Sequence, residues 1–241
     1  MKALLHKVKT IFPYLPWLIP TLRFNLHYFP FKQAIQLPVL LTRPVFLNLK
    51  GVIRIEGPVK SGMIRIGQRT SSMFPQTGTR LDLNGTVVFK GECQISSCSV
   101  LCVGKGASLV FGNHDNINDR ATIICYSRIE LGDYFNMSWD GTLCDNDFHV
   151  MKRVSDGVKK APYAPIIIGD CCWVGQRATL LKGTTLPPHT TVQACALVTG
   201  HTRCPRENSI IGGNPAGVLS EGMYFRDFLD DTPDYPDTQD A

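Results

Sequence analysis

The sequence lacks the cysteine spacing that indicates a zinc site or a disulfide framework. Its nine cysteines are an odd number, and no two of them form a CxxC pair. They are Cys93, Cys98, Cys102, Cys125, Cys144, Cys171, Cys172, Cys195 and Cys204. Metal sites and disulfide-rich folds depend on paired, regularly spaced cysteines. We therefore expect reduced cysteines that serve as small core residues of a cytosolic protein.

The positive charge is too sparse for a nucleic-acid-binding protein. The chain has 25 Lys and Arg against 20 Asp and Glu, which gives a net charge of +5. That excess suits an anionic small molecule or an acidic surface. With 44% hydrophobic residues over 241 positions, the chain is long enough for one large or two small domains with a proper core.

A long uninterrupted apolar run is also missing. The stretch 1–24 is basic and apolar, but three prolines interrupt it: Pro13, Pro16 and Pro20. The apolar stretch is too short to span a bilayer, and no small-residue cleavage site follows it. We expect a segment that lies on a surface or packs within an oligomer. Its aromatic residues Phe12, Tyr14 and Trp17 leave contact with a membrane surface open.

In the C-terminal half, aliphatic residues recur every six positions, a period that fits neither a helix nor an ordinary strand. The series is Ile168, Val174, Leu180, Leu186, Val192 and Val198. A small residue follows four positions after each of the first five: Cys172, Ala178, Thr184, Thr190 and Ala196. A chain that turns a corner every six residues would point each aliphatic residue into a stacked column. This pattern predicts a solenoid, and the alternative, an antiparallel sandwich of short strands, does not explain the unbroken period.

The same ladder continues upstream with slips of two or four residues, which are consistent with insertions at corners. Its blocks are Phe89 and Ile95, then Phe111, Ile117 and Ile123, then Leu131, Met137 and Leu143. We place the solenoid at residues 50–217, with a loop insertion at 150–165. An apolar and basic extension at 1–49 precedes it. An acidic, proline-rich tail at 218–241 follows, and we expect this tail to be loosely held.

The ladder, the segment IIIGDCCWVG (166–175) and the closing IIGGNPAGVL (210–219) resemble the hexapeptide-repeat acyltransferases. The N-terminal FNLHYFPFKQAIQLPVLL and the DFH that follows SWDGTL look most like bacterial O-acetyltransferases of surface-polysaccharide synthesis. The resemblance covers about residues 50–220. It implies an all-β fold, a left-handed parallel β-helix of hexapeptide repeats with short terminal extensions. It also implies a homotrimer with active sites between subunits and acetyl-CoA as co-substrate, with no metal.

The resemblance places His149, in CDNDFHV (144–150), at the family's catalytic position as general base. Imidazole, with an unperturbed pKa near 6.5, is suited to removing a hydroxyl proton at neutral pH. Asp145 or Asp147 could hold the other imidazole nitrogen or bind acceptor hydroxyls, or these acids could only shape a loop. A regular coil would bury residue 149 in the aliphatic column, which is unfavourable for an unpaired polar ring. We predict that the coil breaks here and that His149 leaves the stack.

The acyl-donor side is assigned by the same resemblance. Trp173 and the backbone amides of Gly175 and Gln176 match contacts to the thioester arm, and an amide there could stabilise an oxyanion. The alternative is a buried Trp173 without that role. Ala194 and Thr199 match positions that line the pantetheine groove. The loop GGNPAG, which contains Pro215, matches the one that closes around the adenine end.

The sequence departs from the family pattern at two basic positions. Many relatives carry a lysine after the residue matching Thr199 and a basic residue after NPA, where this chain has Gly200 and Gly217. Arg203, with His201 and Arg206, could supply the missing charge near phosphate. Ile124 and Cys125 stand where related sugar acetyltransferases carry an acidic residue, which leaves nearby Asn118 as the candidate acceptor contact.

These features predict an acyl-CoA-dependent O-acetyltransferase that acts on a carbohydrate or glycan-precursor hydroxyl. The alternatives are an N-acyltransferase on an amino sugar nucleotide, a non-catalytic β-helix scaffold, and a metal hydratase, which the histidine spacing disfavours. The polar, proline-interrupted loop 150–165 is interpreted as a flap over the site, or otherwise as a disordered insertion. We expect no nucleic-acid partner and a cytoplasmic protein, with peripheral membrane contact left open.

Overall fold

A computed structural model of the protein describes residues 12–75 and 77–227. In this part of the chain, short strands stack into three sheets that form the three faces of a left-handed parallel β-helix. Successive strands pass from sheet A to sheet B to sheet C and then return to sheet A one coil further on. The predicted solenoid and its all-β class are confirmed.

The strands of the three sheets are as follows. Sheet A contains β1 (Val39–Leu41), β4 (Ile64–Gln68), β7 (Cys93–Ser96), β10 (Asp115–Ile117), β13 (Asn136–Met137), β16 (Trp173–Val174), β19 (Thr191–Val192), β21 (Ile210–Gly213) and β22 (Ala216–Ser220). Sheet B contains β2 (Pro44–Leu49), β5 (Thr79–Leu83), β8 (Val100–Val103), β11 (Thr122–Cys125), β14 (Thr142–Cys144), β17 (Thr179–Leu181) and β20 (Leu197–Val198). Sheet C contains β3 (Val52–Ile55), β6 (Thr86–Phe89), β9 (Ser108–Phe111), β12 (Arg128–Leu131), β15 (Ile166–Ile168) and β18 (Thr185–Leu186).

Every aliphatic residue of the six-residue ladder points into the core. Val174 pairs with Val192 and Leu180 pairs with Val198, so one coil in this region consists of three repeats of the ladder. All six ladder residues from Ile168 to Val198 are at most 2% exposed. Burial of such a side chain stabilises the fold by roughly 1.5–3 kcal/mol. The continuous aliphatic column is therefore the main source of stability.

The breaks in the six-residue period upstream are not caused by the insertions at corners that the sequence predicted. Ile117 pairs with Ile95, so the coil there is longer than three repeats of the ladder. The strands in this half are also longer and place two residues inward, as Leu101 and Val103 do in β8. The additional residues lie within a strand, where alternate side chains face the core. The slips therefore mark longer faces of the coil.

The corners close on small buried residues, as the sequence predicts. Cys172, Ala178, Thr184, Thr190 and Ala196 are all at most 1% exposed. Residues with side chains also adopt positive φ at the corners, for example Arg177 (58°) and Cys195 (62°), which lie one coil apart. Such a conformation costs roughly 1–2 kcal/mol for a residue with a Cβ. The stacking of neighbouring coils fixes this conformation at each corner.

A helical segment covers the first coil. It consists of a 3-10 helix at Phe12–Trp17 and two α-helices, α1 (Leu18–Tyr28) and α2 (Phe31–Ala34). None of the helices in the described residues has the length and apolar content to cross a bilayer. The parallel coils begin at Val39, which pairs with Ile64, rather than at residue 50.

The last coil ends in an antiparallel hairpin of β21 and β22. The predicted extension 1–49 falls partly outside the described residues, in 1–11. The predicted tail 218–241 does so in 228–241.

Candidate functional site

The coil breaks once between sheets B and C, at the segment that carries His149. β14 ends at Cys144 and β15 begins at Ile166, and both strands pair with their neighbours in adjacent coils. Residues 145–165, which we call the hairpin loop, project from the edge between the two sheets. His149 is exposed, so the predicted exit from the aliphatic stack is confirmed.

The hairpin loop is folded back on itself. At its base Asp147 N donates to Pro162 O (2.7 Å), and Ala164 N donates to Asp145 O (3.1 Å). Farther out, a second antiparallel bridge joins Lys152 and Lys159. His149 lies between these two pairings. The loop is therefore a paired excursion from the coil.

Asp145 does not hold the imidazole. It is fully buried, and its two carboxylate oxygens accept hydrogen bonds from the amides of Tyr126 and Ser127, each at 2.7 Å. These two bonds fix the corner of the preceding coil beneath the loop. The expectation that Asp145 could orient His149 is corrected, because its oxygens are already committed to backbone donors.

Asp147 forms an ion pair with Lys182 instead of with His149. The distance from Asp147 Oδ2 to Lys182 Nζ is 2.5 Å. Lys182 Nζ also donates to Ala161 O at 2.9 Å, and its side chain is only 15% exposed. One ammonium group thus holds both ends of the hairpin loop against the coil.

Phe148, the residue before the histidine, is held in place by a hydrogen bond and a ring contact. Its amide donates to Asn146 Oδ1 at 2.7 Å, and its φ is 60°. Its ring meets the ring of Tyr126 edge-on, with centroids 5.1 Å apart. Among the described residues, His149 itself has no hydrogen-bond or ion-pair partner. The backbone around His149 is therefore held in place while its imidazole nitrogens stay available to a ligand.

A cavity of about 440 Å³ separates the hairpin loop from the edge of the coil. It is lined by Asp147, Lys160, Ala161, Tyr163, Ala164, Leu181, Lys182, Gly183, Thr199, Gly200 and His201. Thr199, predicted to line the pantetheine groove, lies in this wall. Its hydroxyl accepts the amide of His201 at 3.2 Å in a tight turn. The cavity wall thus contains two hydroxyl residues, two lysines, one aspartate and one histidine beside two glycines.

Lys182 is the residue that the family pattern did not reveal. Leu180 pairs with Val198, so residue 182 lies one coil below Gly200, the position where the family resemblance implies a lysine. A Cβ on Gly200 would come within 3.1 Å of Lys182 O. Counting back three repeats of the ladder from the absent lysine would have found it. Arg203 and Arg206 are exposed in the segment that follows Thr199, and Arg206 pairs with Glu221 at 3.6 Å.

The remaining predicted donor-side residues lie along the edge between sheets A and B. Trp173, in β16, is half-buried, and its Nε1 donates to Ser138 Oγ at 2.9 Å. The guanidinium of Arg226 lies over its indole ring, 5.1 Å from the centroid. Trp173 is thus neither fully buried nor free of protein contacts. Ala194 is exposed at the corner that follows the next strand of sheet A.

The Gly175 amide is not an available oxyanion donor. It donates to Val192 O at 2.8 Å, a hydrogen bond that links adjacent coils. A Cβ at this position would meet Ala194 N at 2.6 Å. Gly175 is therefore a packing glycine, and the expectation of a catalytic amide is corrected at this residue. The Gln176 carbonyl accepts the Cys195 amide at 2.8 Å, so this corner is also tied to the next coil.

Asn118 and Pro215 complete the predicted set. Asn118 Nδ2 donates to Met137 O at 3.0 Å, so its amide supports the next coil and its side chain is half-buried. Pro215 is exposed at the turn between β21 and β22. Within the described part of the chain, no group of three His, Cys, Asp or Glu is placed to hold a metal ion.

The fold therefore divides the predicted residues between two edges of one chain. The edge between sheets B and C carries His149, Asp147 and Thr199. The edge between sheets A and B carries Asn118 and Ala194, with Trp173 beside it. One face of a coil, roughly 15–20 Å of strand, separates the two edges.

Comparisons with known proteins agree with this architecture. The chain is 25% identical over 186 residues to WbbJ of Escherichia coli strain K12, whose name describes a lipopolysaccharide biosynthesis O-acetyl transferase. That match covers 76% of this chain and 84% of the relative. No family model matches the chain.

A solved structure shows the same fold at low identity. The polySia-specific acetyltransferase NeuO superposes with a TM-score of 0.56 at 15% identity, over 83% of this chain and 81% of that one. The polysialic acid O-acetyltransferase OatWY superposes less well, with a TM-score of 0.41 at 15% identity, over 83% and 93% of the two chains.

The six-residue repeat and the three-sheet coil of the described residues define a fold, the left-handed parallel β-helix. The similarity to WbbJ and to the fold of NeuO supports the resemblance of the chain to the hexapeptide-repeat acyltransferases.

Proposed function

We propose that the protein is an acetyl-CoA-dependent O-acetyltransferase that acts on a carbohydrate hydroxyl, with His149 as its general base. The relative WbbJ supports the class of donor and acceptor, since its name gives O-acetyl transfer in lipopolysaccharide biosynthesis. The observation that carries the proposal is the arrangement at the hairpin loop. The loop backbone is held to the coil by Asp147 and Phe148, while the His149 imidazole has no partner among the described residues.

In the proposed reaction, one imidazole nitrogen of His149 accepts the proton of the acceptor hydroxyl as its oxygen attacks the thioester carbonyl. The C–O bond forms, the C–S bond breaks, and the departing thiolate takes a proton, which restores neutral imidazole. Acetyl ester and free thiol are the products. A positioned general base of this kind contributes about 10²- to 10⁴-fold to the rate.

The residues lining the hairpin cavity fit an acyl-CoA in chemical terms. The two glycines leave room for a narrow arm against the backbone, and a Cβ at Gly200 would crowd Lys182 O. Lys182 in the cavity wall and Arg203 in the segment after Thr199 carry positive charge, and the His201 imidazole can form hydrogen bonds, which suits phosphate groups. These residues would hold the thioester substrate, which provides the acetyl group.

We further propose that a homotrimer builds each site from two copies of the chain. His149 and Thr199 lie on one edge, while Trp173 and Asn118 lie near another. A three-fold assembly of prism-shaped chains brings the edge between sheets B and C of one copy against the edge between sheets A and B of the next. Each site would then combine residues for the acceptor and for the thioester that lie far apart within a single chain.

The test is acetyl transfer by the purified protein with acetyl-CoA and a panel of sugars, followed by thiol release and product mass. We expect acetylation at a hydroxyl, and we expect His149→Ala to reduce kcat by about 10²- to 10⁴-fold. His114→Ala is the matched control, because His114 is a half-exposed histidine stacked on Tyr134 at another edge. It should retain full activity.

Two outcomes would contradict the proposal. Turnover confined to amino sugars would establish the N-acyltransferase alternative. An unchanged kcat in His149→Ala would exclude His149 as the general base, and the absence of acetyl transfer to every acceptor would favour a scaffold.

A further inference from the structure

Helix α1 is apolar on both of its faces. Its inner face is buried against the first coil, where Phe24 is 2% exposed and Asn25 Nδ2 donates to Val39 O at 2.8 Å. Its outer face carries four exposed residues, Leu18, Ile19, Leu22 and Leu26, and exposed Leu15 in the preceding 3-10 helix extends this row, which we call the outer stripe. At about 100° per residue, the four positions in α1 fall within roughly one third of the helix circumference. A helix that faced only water on this side would be expected to carry polar residues there.

The outer stripe continues into further exposed apolar residues at the same end of the molecule. Phe31 is 70% exposed and Ile35 is 55% exposed in and after α2. A cavity of about 370 Å³ opens between α1 and β2, lined by Ile19, Pro20, Arg23, Phe24, His27, Phe46 and Leu49. A contiguous apolar surface of this extent on a folded domain marks an interaction site.

The charge of the chain segment that builds this surface has one sign. No aspartate or glutamate precedes Glu56 in the chain. The basic residues of that stretch are Lys2, Lys7, Lys9, Arg23, Lys32, Arg43, Lys50 and Arg54. Arg23 and Lys32 are exposed beside the apolar residues. A second copy of this surface would meet it with like charge, whereas an anionic surface would be complementary to it.

We propose that the outer stripe, with Phe31 and Ile35, docks in the interface of a bilayer that contains anionic lipids. An amphipathic helix of this kind lies in the plane of the membrane, with its apolar side among the upper acyl chains and its cations near the headgroups. Each nearby Lys or Arg strengthens such binding to an anionic leaflet. Tyr14, expected among the surface aromatics, is not part of this face, because it is buried and donates to Gln68 Oε1 at 2.7 Å.

The experiment is co-sedimentation of the full chain with vesicles. One set contains phosphatidylcholine alone, and the other contains phosphatidylcholine with phosphatidylglycerol. We expect binding to the anionic vesicles that weakens as salt is raised, and much weaker binding to the neutral ones. The double variant Ile19→Glu with Leu22→Glu should lose at least about tenfold in vesicle affinity. Arg23→Glu with Lys32→Glu should lose the preference for anionic lipid.

Val154→Glu is the matched control, because Val154 is a fully exposed apolar residue at the tip of the hairpin loop. It should bind vesicles like the wild type. Thermal unfolding and acetyl transfer to a soluble sugar should stay unchanged in the stripe variant and in the Arg23→Glu with Lys32→Glu variant, which separates this proposal from the proposed enzymatic function.

Three results would overturn the proposal. The wild type could fail to bind anionic vesicles, or the stripe variant could bind them as well as Val154→Glu does. The stripe variant could also disperse an oligomer of the wild type in sedimentation velocity, which would assign the face to a second copy.

Discussion

At the scale of single residues, the site depends on how a polar side chain is held at a break in an apolar ladder. Asp147 and Lys182 form the ion pair that closes the base of the hairpin loop, and Lys182 also binds Ala161 O. Both contacts act on the backbone on either side of His149. Lys182 is therefore a positioning residue in the proposed reaction, although it does not contact the imidazole.

Replacement of this lysine should loosen the loop without unfolding the coil. Lys182→Met removes both contacts, and we expect kcat to fall on the order of ten- to a hundredfold, since small displacements of a catalytic group have large effects. Hydrogen exchange at the Asp147 and Ala164 amides should accelerate. Lys159→Met, an exposed change in the outer half of the loop, is the control. Unchanged exchange and kcat in Lys182→Met would contradict this role.

The sequence predicts the position of His149 better than its partners. The exit from the stack follows from the ladder alone, because a regular coil would have buried the imidazole. The partners of Asp145 and Asp147 could not be predicted in that way. Tyr126, Ser127 and Lys182 reach these acids from neighbouring coils, and that proximity depends on coil lengths that differ between the two halves of the β-helix.

At the scale of structural elements, alternation within each strand decides which side chains stabilise the fold. Ile123 and Ile124 are adjacent in β11, but Ile123 is 1% exposed and Ile124 points outward and is half-buried. The pair offers a direct comparison of the two faces of one strand.

Truncation of these two isoleucines should have unequal effects. Ile123→Ala leaves a cavity in the aliphatic column and should lower the free energy of unfolding by about 2–5 kcal/mol. Ile124→Ala should lower the free energy of unfolding by much less, because the Ile124 side chain is already partly exposed to water in the folded protein. Chemical denaturation of both variants measures the difference. Equal losses would contradict the assigned register of β11.

The strands of the C-terminal half could be predicted one by one, because the ladder there keeps its period without a slip. The first coil was missed, since β1 and β2 precede the predicted boundary at residue 50. The stretch Val45, Phe46 and Leu47 in β2 is exposed on consecutive positions. Such a strand lacks the alternation by which a half-buried strand is identified.

At the scale of the whole molecule, the aliphatic column shields the thiols of cysteines in widely separated coils from water. Every cysteine is free, as the sequence predicts, but only some are core residues. Burial raises the pKa of Cys125 and of Cys172 to about 12. Cys195, in contrast, is exposed at a corner.

Alkylation of the native protein should distinguish the exposed cysteine Cys195 from the buried cysteines Cys125 and Cys172. Thiolates are the reactive species, so at pH 8 a thiol with a pKa near 12 reacts on the order of a thousandfold more slowly than an ordinary one. We expect Cys195 to be modified by iodoacetamide early, and Cys125 and Cys172 only after unfolding. Peptide mass spectrometry over time gives the order. Early modification of Cys172 in folded protein would be incompatible with the described core.

In the proposed homotrimer, the two edges of the chain would come together in one site. The most direct measurement uses hybrid trimers formed from two inactive chains, His149→Ala and Trp173→Ala, mixed in equal amounts. If each site takes His149 from one copy and Trp173 from the next, one interface in four receives both intact halves, and about a quarter of wild-type acetyl transfer should return. If each site lies within one chain, mixing will restore nothing, and that result would contradict the account.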